Sequence, residues 1–107
     1  MALWYVYIMT NKPNGVIYIG ITDNLNERVR EHKYNVYPKS FTARYNCENL
    51  VYFEEYEKGE EASIRERQFK KWKREWKVNL IEEMNPSWAD LSANWNLDDN
   101  REFRINK

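Results

Sequence analysis

Two short apolar runs separated by Lys12-Pro13-Asn14-Gly15 constrain this chain more than any other feature. Residues 3–9 are rich in aromatic and β-branched types, the composition of a strand. Pro13 sets one backbone angle of the turn, and Asn14-Gly15 tolerates the positive φ of a reversal. Val16 to Ile21 is the returning strand, so the chain opens with a β-hairpin. A period of two puts Tyr5 and Tyr7 on one face of the first strand and Val6 and Ile8 on the other. On the second strand Tyr18 shares its face with Val16 and Gly20.

Downstream, Asn24 followed by Glu27 has the spacing of a capping box and predicts a helix over about 24–34. Leu25 and Val29 give it a core stripe, and Arg28 and His32, at i and i+4, share a face. Residues 35–48 are polar, contain Pro38 and are expected to form a loop. Asn49 to Tyr56 is a third strand, with Val51 and Phe53 alternating against Leu50, Tyr52 and Glu54. Glu60 and Glu61 follow Gly59 and suit the positive end of a helix over about 60–75, which carries Ala62, Phe69, Trp72 and Trp76 at helical spacing. A second short helix runs from Trp76 to Met84, Asn85-Pro86 ends it, and 87–91 dock as a cap. The expectation is one α/β (α+β) domain over 1–95, with a small three-stranded mixed sheet flanked by helices, and a polar tail over 96–107.

A chain of 107 residues is long enough for one domain and too short for two. Seventeen basic residues balance seventeen acidic ones, so total charge does not point to nucleic acid. Its distribution does. Arg65, Arg67, Lys70, Lys71, Lys73, Arg74 and Lys77 are seven basic residues within thirteen, opposed only by Glu66 and Glu75. The lone Cys47 cannot form an internal disulfide, and no Cys/His cluster suggests zinc. No run approaches the length of a membrane span, and the N-terminus lacks the pattern of a leader. A cytoplasmic protein without a membrane partner is expected.

Two phenols, one guanidinium, one imidazole and one carboxylate are a kit for cutting a phosphodiester. Hydrolysis needs an activated water, neutralisation of charge on the phosphoryl group and a stabilised leaving oxygen. Arg28 can grip phosphate with its planar fork. Tyr7 or Tyr18 can take the water's proton where cations favour phenolate, and neutral His32 is the alternative acceptor. Glu66 shares a helical face with Ala62 and Phe69, where a carboxylate is costly unless paired or metal-bound. A buried partner such as Arg28 is the structural explanation. The functional one is a single hard cation, Mg²⁺ or Mn²⁺, which needs few protein ligands because it keeps most of its waters.

The ordered set Tyr5-Val6-Tyr7, Tyr18-Ile19-Gly20, Arg28 and Ala62-Ser63-Ile64-Arg65-Glu66 resembles a GIY-YIG nuclease domain. Ser40-Phe41-Thr42, Leu50-Val51-Tyr52-Phe53-Glu54 and Asn85-Pro86-Ser87-Trp88-Ala89-Asp90-Leu91 resemble its small stand-alone bacterial members, and the resemblance covers about residues 3–92. Tyr5 stands where the family has glycine, and Ile21 where many members have lysine. The resemblance implies a metal-dependent DNA endonuclease with Tyr7 as general base, Tyr18 orienting water or phosphate, Arg28 on the phosphate and Glu66 on the metal. The alternative is a nucleic-acid-binding module of the same fold without catalysis. Lys70, Lys71, Lys73, Arg74 and Lys77 are expected to contact the DNA backbone. RNA is an open alternative substrate. A monomer or weak homodimer is expected, with specificity low or supplied by a partner protein.

Overall fold

The computed structural model describes residues 3–97. Three strands, β1 (Trp4–Thr10), β2 (Ile17–Thr22) and β3 (Asn49–Tyr56), form one sheet in the order β2-β1-β3. The hairpin, the third strand and the flanking helices are as expected. The sheet differs in one respect: β1 pairs antiparallel with both neighbours, so it is antiparallel throughout rather than mixed.

The turn works as its residues suggest. Gly15 N–H donates to Lys12 O at 2.9 Å, and Asn14, not Gly15, takes the positive φ of 57°. Gly15 is required for space instead, since a β-carbon there would lie 2.1 Å from Asn11 Oδ1. That oxygen accepts from Val16 N–H at 2.9 Å.

Helix α1 (Leu25–Lys33) starts where the capping pattern predicts: Asn24 Oδ1 accepts from Glu27 N–H at 3.2 Å. Leu25 and Val29 bury one face of α1 with Tyr7, Met9, Cys47, Leu50 and Leu97. The other sheet face carries Val6, Ile8, Ile19, Val51 and Tyr52 against Ala62, Phe69, Ile81 and Trp88. The sheet is thus a middle layer, and the phenol of Tyr7 lies on the α1 side. Leu97 is buried in that layer, two residues beyond the domain boundary expected at 95. Of the tail expected over 96–107, residues 98–107 lie outside the described residues.

Simple alternation fails in β3. The register runs from Ile8↔Tyr52 to Met9↔Leu50, leaving Val51 as an extra residue. This bulge puts Val51 and Tyr52 on one core and Leu50 and Phe53 on the other. The Val51 carbonyl accepts from Asn85 Nδ2 at 3.1 Å, and Leu91 N–H donates to Leu50 O at 2.7 Å. The Asn85–Leu91 segment therefore docks on the bulge, with Trp88 buried as its anchor.

Two further boundaries differ from expectation. A four-residue helix α2 (Phe41–Arg44) interrupts the loop, capped by Ser40 Oγ accepting from Ala43 N–H at 3.2 Å. Helix α3 (Gly59–Lys71) ends earlier than expected. Trp72 and Lys73 are extended, with ψ of 149° and 150°, and α4 runs from Arg74 to Met84. The basic run is therefore split between two helices rather than lying along one.

Candidate active site

Tyr7 and Tyr18 come from adjacent strands, and their ring centroids are 6.1 Å apart. Gly20, directly opposite Tyr7 in the ladder, makes room for the phenol. A β-carbon on Gly20 would sit 2.5 Å from both Cζ and Oη of Tyr7. Helix α1 supplies the other two groups. His32 lies 5.7 Å from the Tyr7 ring and 5.5 Å from that of Tyr18, centroid to centroid. Arg28, one helical turn earlier, lies near enough for its charge to act on Tyr7. Its Nε pairs with Glu31 Oε1 at 3.0 Å, which orients the guanidinium while leaving the side chain 41 % exposed.

The hydrogen bonds continue inward. Tyr7 Oη is 2.9 Å from His32 Nε2, His32 Nδ1 is 2.8 Å from Thr42 Oγ1, and Thr42 Oγ1 is 3.2 Å from Ser40 Oγ. Burial and the neighbouring Tyr18 push the Tyr7 phenol far above its ordinary value, against a smaller lowering by Arg28. Burial and the Arg28 guanidinium push His32 down to about 4. Tyr7 is thus protonated and His32 neutral at pH 7. The assignment that suits both has Tyr7 O–H donating to Nε2, and Nδ1–H donating to Thr42 Oγ1.

Glu66 stands on α3, whose residues Ala62 and Phe69 pack on the opposite sheet face from Tyr7. Its side chain is 16 % exposed, and Oε2 pairs with Lys70 Nζ at 3.2 Å. Among the described residues no hydrogen bond or ion pair joins it to Tyr7, Tyr18, Arg28 or His32. No group of three His, Cys, Asp or Glu side chains among the described residues could hold a metal. Glu66 would offer a cation one shielded carboxylate, a donor suited to an ion that keeps most of its own water.

The basic residues have mixed duties. Arg65 pairs with Glu54 at 3.0 Å, and the hydroxyls of Tyr52 and Tyr56 donate to the same carboxylate. Arg74 Nη2 donates to the carbonyls of Asn14 and Gly15 at 2.8 and 2.6 Å, bracing the hairpin turn. Lys70, Lys71 and Lys73 are exposed and Lys77 is half-buried. Sequence reasoning gave no role to Gly20, Glu31 or Thr42. The signal for Gly20 was its place opposite Tyr7 in the hairpin. Glu31 lies three residues after Arg28, the spacing of a helical ion pair. For Thr42 the signal was its place in Ser40-Phe41-Thr42, which marks the resemblance but not the contact with His32.

The sequence matches the GIY-YIG catalytic domain over residues 3–79. It is 39 % identical over 77 residues to a UPF0213 protein of Clostridium perfringens (strain 13 / Type A), covering 72 % of this chain and 81 % of that protein. No solved structure matches the chain. The chain belongs to the GIY-YIG family, a nuclease-type family. No helix among the described residues is long and apolar enough to cross a membrane.

Proposed function

We propose that this protein is an endonuclease that hydrolyses DNA phosphodiesters with one divalent cation, Mg²⁺ or Mn²⁺. The observation that carries this reading is the convergence of Tyr7, Tyr18, Arg28 and His32 on the α1 face of the sheet. Arg28 binds the phosphate through the edge of its guanidinium not taken by Glu31, and offsets charge that develops during attack. Tyr18 orients the phosphate or the attacking water. Tyr7 takes the water's proton as its own phenolic proton passes to His32 Nε2. This relay avoids a free phenolate, which the burial of Tyr7 disfavours. It requires the negative charge of the phosphate held at Arg28 to offset the burial and guanidinium charge that push His32 down to about 4. Thr42 holds the imidazole with Nε2 facing the phenol. Glu66 would hold the cation, displacing Lys70, and the cation would supply charge neutralisation at the phosphate.

The test is nicking of supercoiled plasmid in Mg²⁺ or Mn²⁺, with Glu66→Gln alongside. Glu66→Gln preserves size and removes the charge. Nicking should be lost in the variant while thermal stability and DNA binding persist. A fully active Glu66→Gln protein would sink the single-carboxylate assignment. DNA binding by the wild type without nicking in either metal would select the non-catalytic module.

A further inference from the structure

Thr42 faces inward to His32, while the aromatic residues at the two ends of α2 face out. Phe41 is 45 % exposed and Tyr45, the residue capping α2, is 41 % exposed. The two rings meet with centroids 4.7 Å apart. Phe41 also meets Tyr18, centroid to centroid at 6.0 Å. A continuous row, Tyr18–Phe41–Tyr45, therefore leads from the candidate cleavage site to the surface. The Arg44 guanidinium lies 5.8 Å from the Tyr45 centroid and brings positive charge to its outer end. Thr42 pins the row to the site, since its hydroxyl is buried and bound to His32.

Exposed aromatic faces in this position have a chemical reading. The row starts beside His32 and Tyr18, and the group next to a scissile phosphate in a nucleic acid is a nucleoside. A paired base presents neither face, because both are covered by stacking within the duplex. An unpaired base presents both. Stacking on aromatic rings with cationic support is how proteins hold such bases without reading sequence. We infer that Phe41 and Tyr45, with Arg44, form a stacking platform for an unpaired nucleobase flanking the scissile phosphate. The preferred substrate is then a single strand, or a duplex with unpaired nucleotides at the cut. This inference rests on the nuclease reading and adds a substrate class to it.

The test uses the full chain, without divalent metal, and a short single-stranded oligodeoxynucleotide carrying 2-aminopurine, with its fully paired duplex as comparison. Stacking on the platform quenches 2-aminopurine fluorescence when wild-type protein binds the single strand. Phe41→Ala and Tyr45→Ala should each weaken single-strand affinity by at least about fivefold, the lower end for one stacked base. The ratio of single-strand to duplex affinity should fall with it. Phe41→Trp should retain both affinity and quenching, which separates loss of stacking from loss of folding. Equal losses on both substrates, or no loss, overturn the platform. So does a change in sedimenting mass without a change in single-strand affinity, which would make the row a contact between two copies. If wild type binds with quenching but never cuts in Mg²⁺ or Mn²⁺, the platform stands and the nuclease reading fails. If it cuts while the variants bind single strands unchanged, the reverse holds.

Discussion

The hydroxyl of Tyr7 lies 2.9 Å from His32 Nε2, and the same end of the ring lies over Gly20. The phenol is thereby positioned from two sides, by an acceptor and by the absence of a side chain.

Gly20→Ala tests the second of these. The added β-carbon would sit 2.5 Å from Oη of a ring that is itself fully buried. The ring must move, at a cost of about 1–3 kcal/mol as in other overpacked cores. Movement also breaks the hydrogen bond with His32, so nicking should fall by more than the loss of folded protein explains. Urea melts and single-turnover nicking on the same preparation measure both.

His32 makes stability depend on pH. Its native value is about 4 against an ordinary 6.5. Above about pH 6.5 both folded and unfolded chains carry a neutral imidazole, and the contribution is constant. Between 6.5 and 4 the unfolded chain binds a proton that the native fold refuses, so stability falls as pH falls. Urea melts at pH 7 and pH 5 should show a smaller difference in His32→Gln than in wild type. The cleavage rate should show no rising limb in the ordinary phenol range, because Tyr7 titrates well above it.

Arg28 and Glu31 should separate in size of effect. Arg28→Lys keeps a charge but loses the fork, and removing one transition-state interaction of this kind costs ~10²-fold or more in rate. Glu31→Gln keeps a partner for Arg28 Nε. It should cost less than Arg28→Lys in single-turnover nicking. Near-normal cleavage by Arg28→Lys would make Arg28 mere electrostatic background.

The basic residues of α3 and α4 should divide into two groups. Charge reversal at the exposed Lys71 and Lys73 should weaken binding alike on unrelated sequences. It should also flatten the plot of log affinity against log salt by about one unit for each phosphate no longer neutralised. Arg74→Ala should instead lower the melting temperature, because Arg74 holds the carbonyls of Asn14 and Gly15. An unchanged salt slope in the lysine variants would place the DNA elsewhere.

What was legible in the sequence was local. Alternation over β1 and β2, the Pro-Asn-Gly turn and the Asn24–Glu27 cap each depend on residues a few positions apart, and each appears in the fold. The same range of order put Tyr7 and Tyr18 on one face of the hairpin, and Arg28 and His32 on the helix face that meets it. Distant partners were not legible. The bulge at Val51 exists because Asn85 and Leu91 satisfy its backbone from 34 residues along the chain and beyond, and no alternation rule sees them. The break at Trp72–Lys73 divided a basic run that looks continuous by composition. Thr42 met His32 only through the folding of a polar loop that no local pattern ties to α1. The chemical state of the site was decided last and by the same cause. Tyr7 and His32 carry ordinary side chains whose proton affinities are moved apart by burial, and burial is a property of the packed layers rather than of any residue in them.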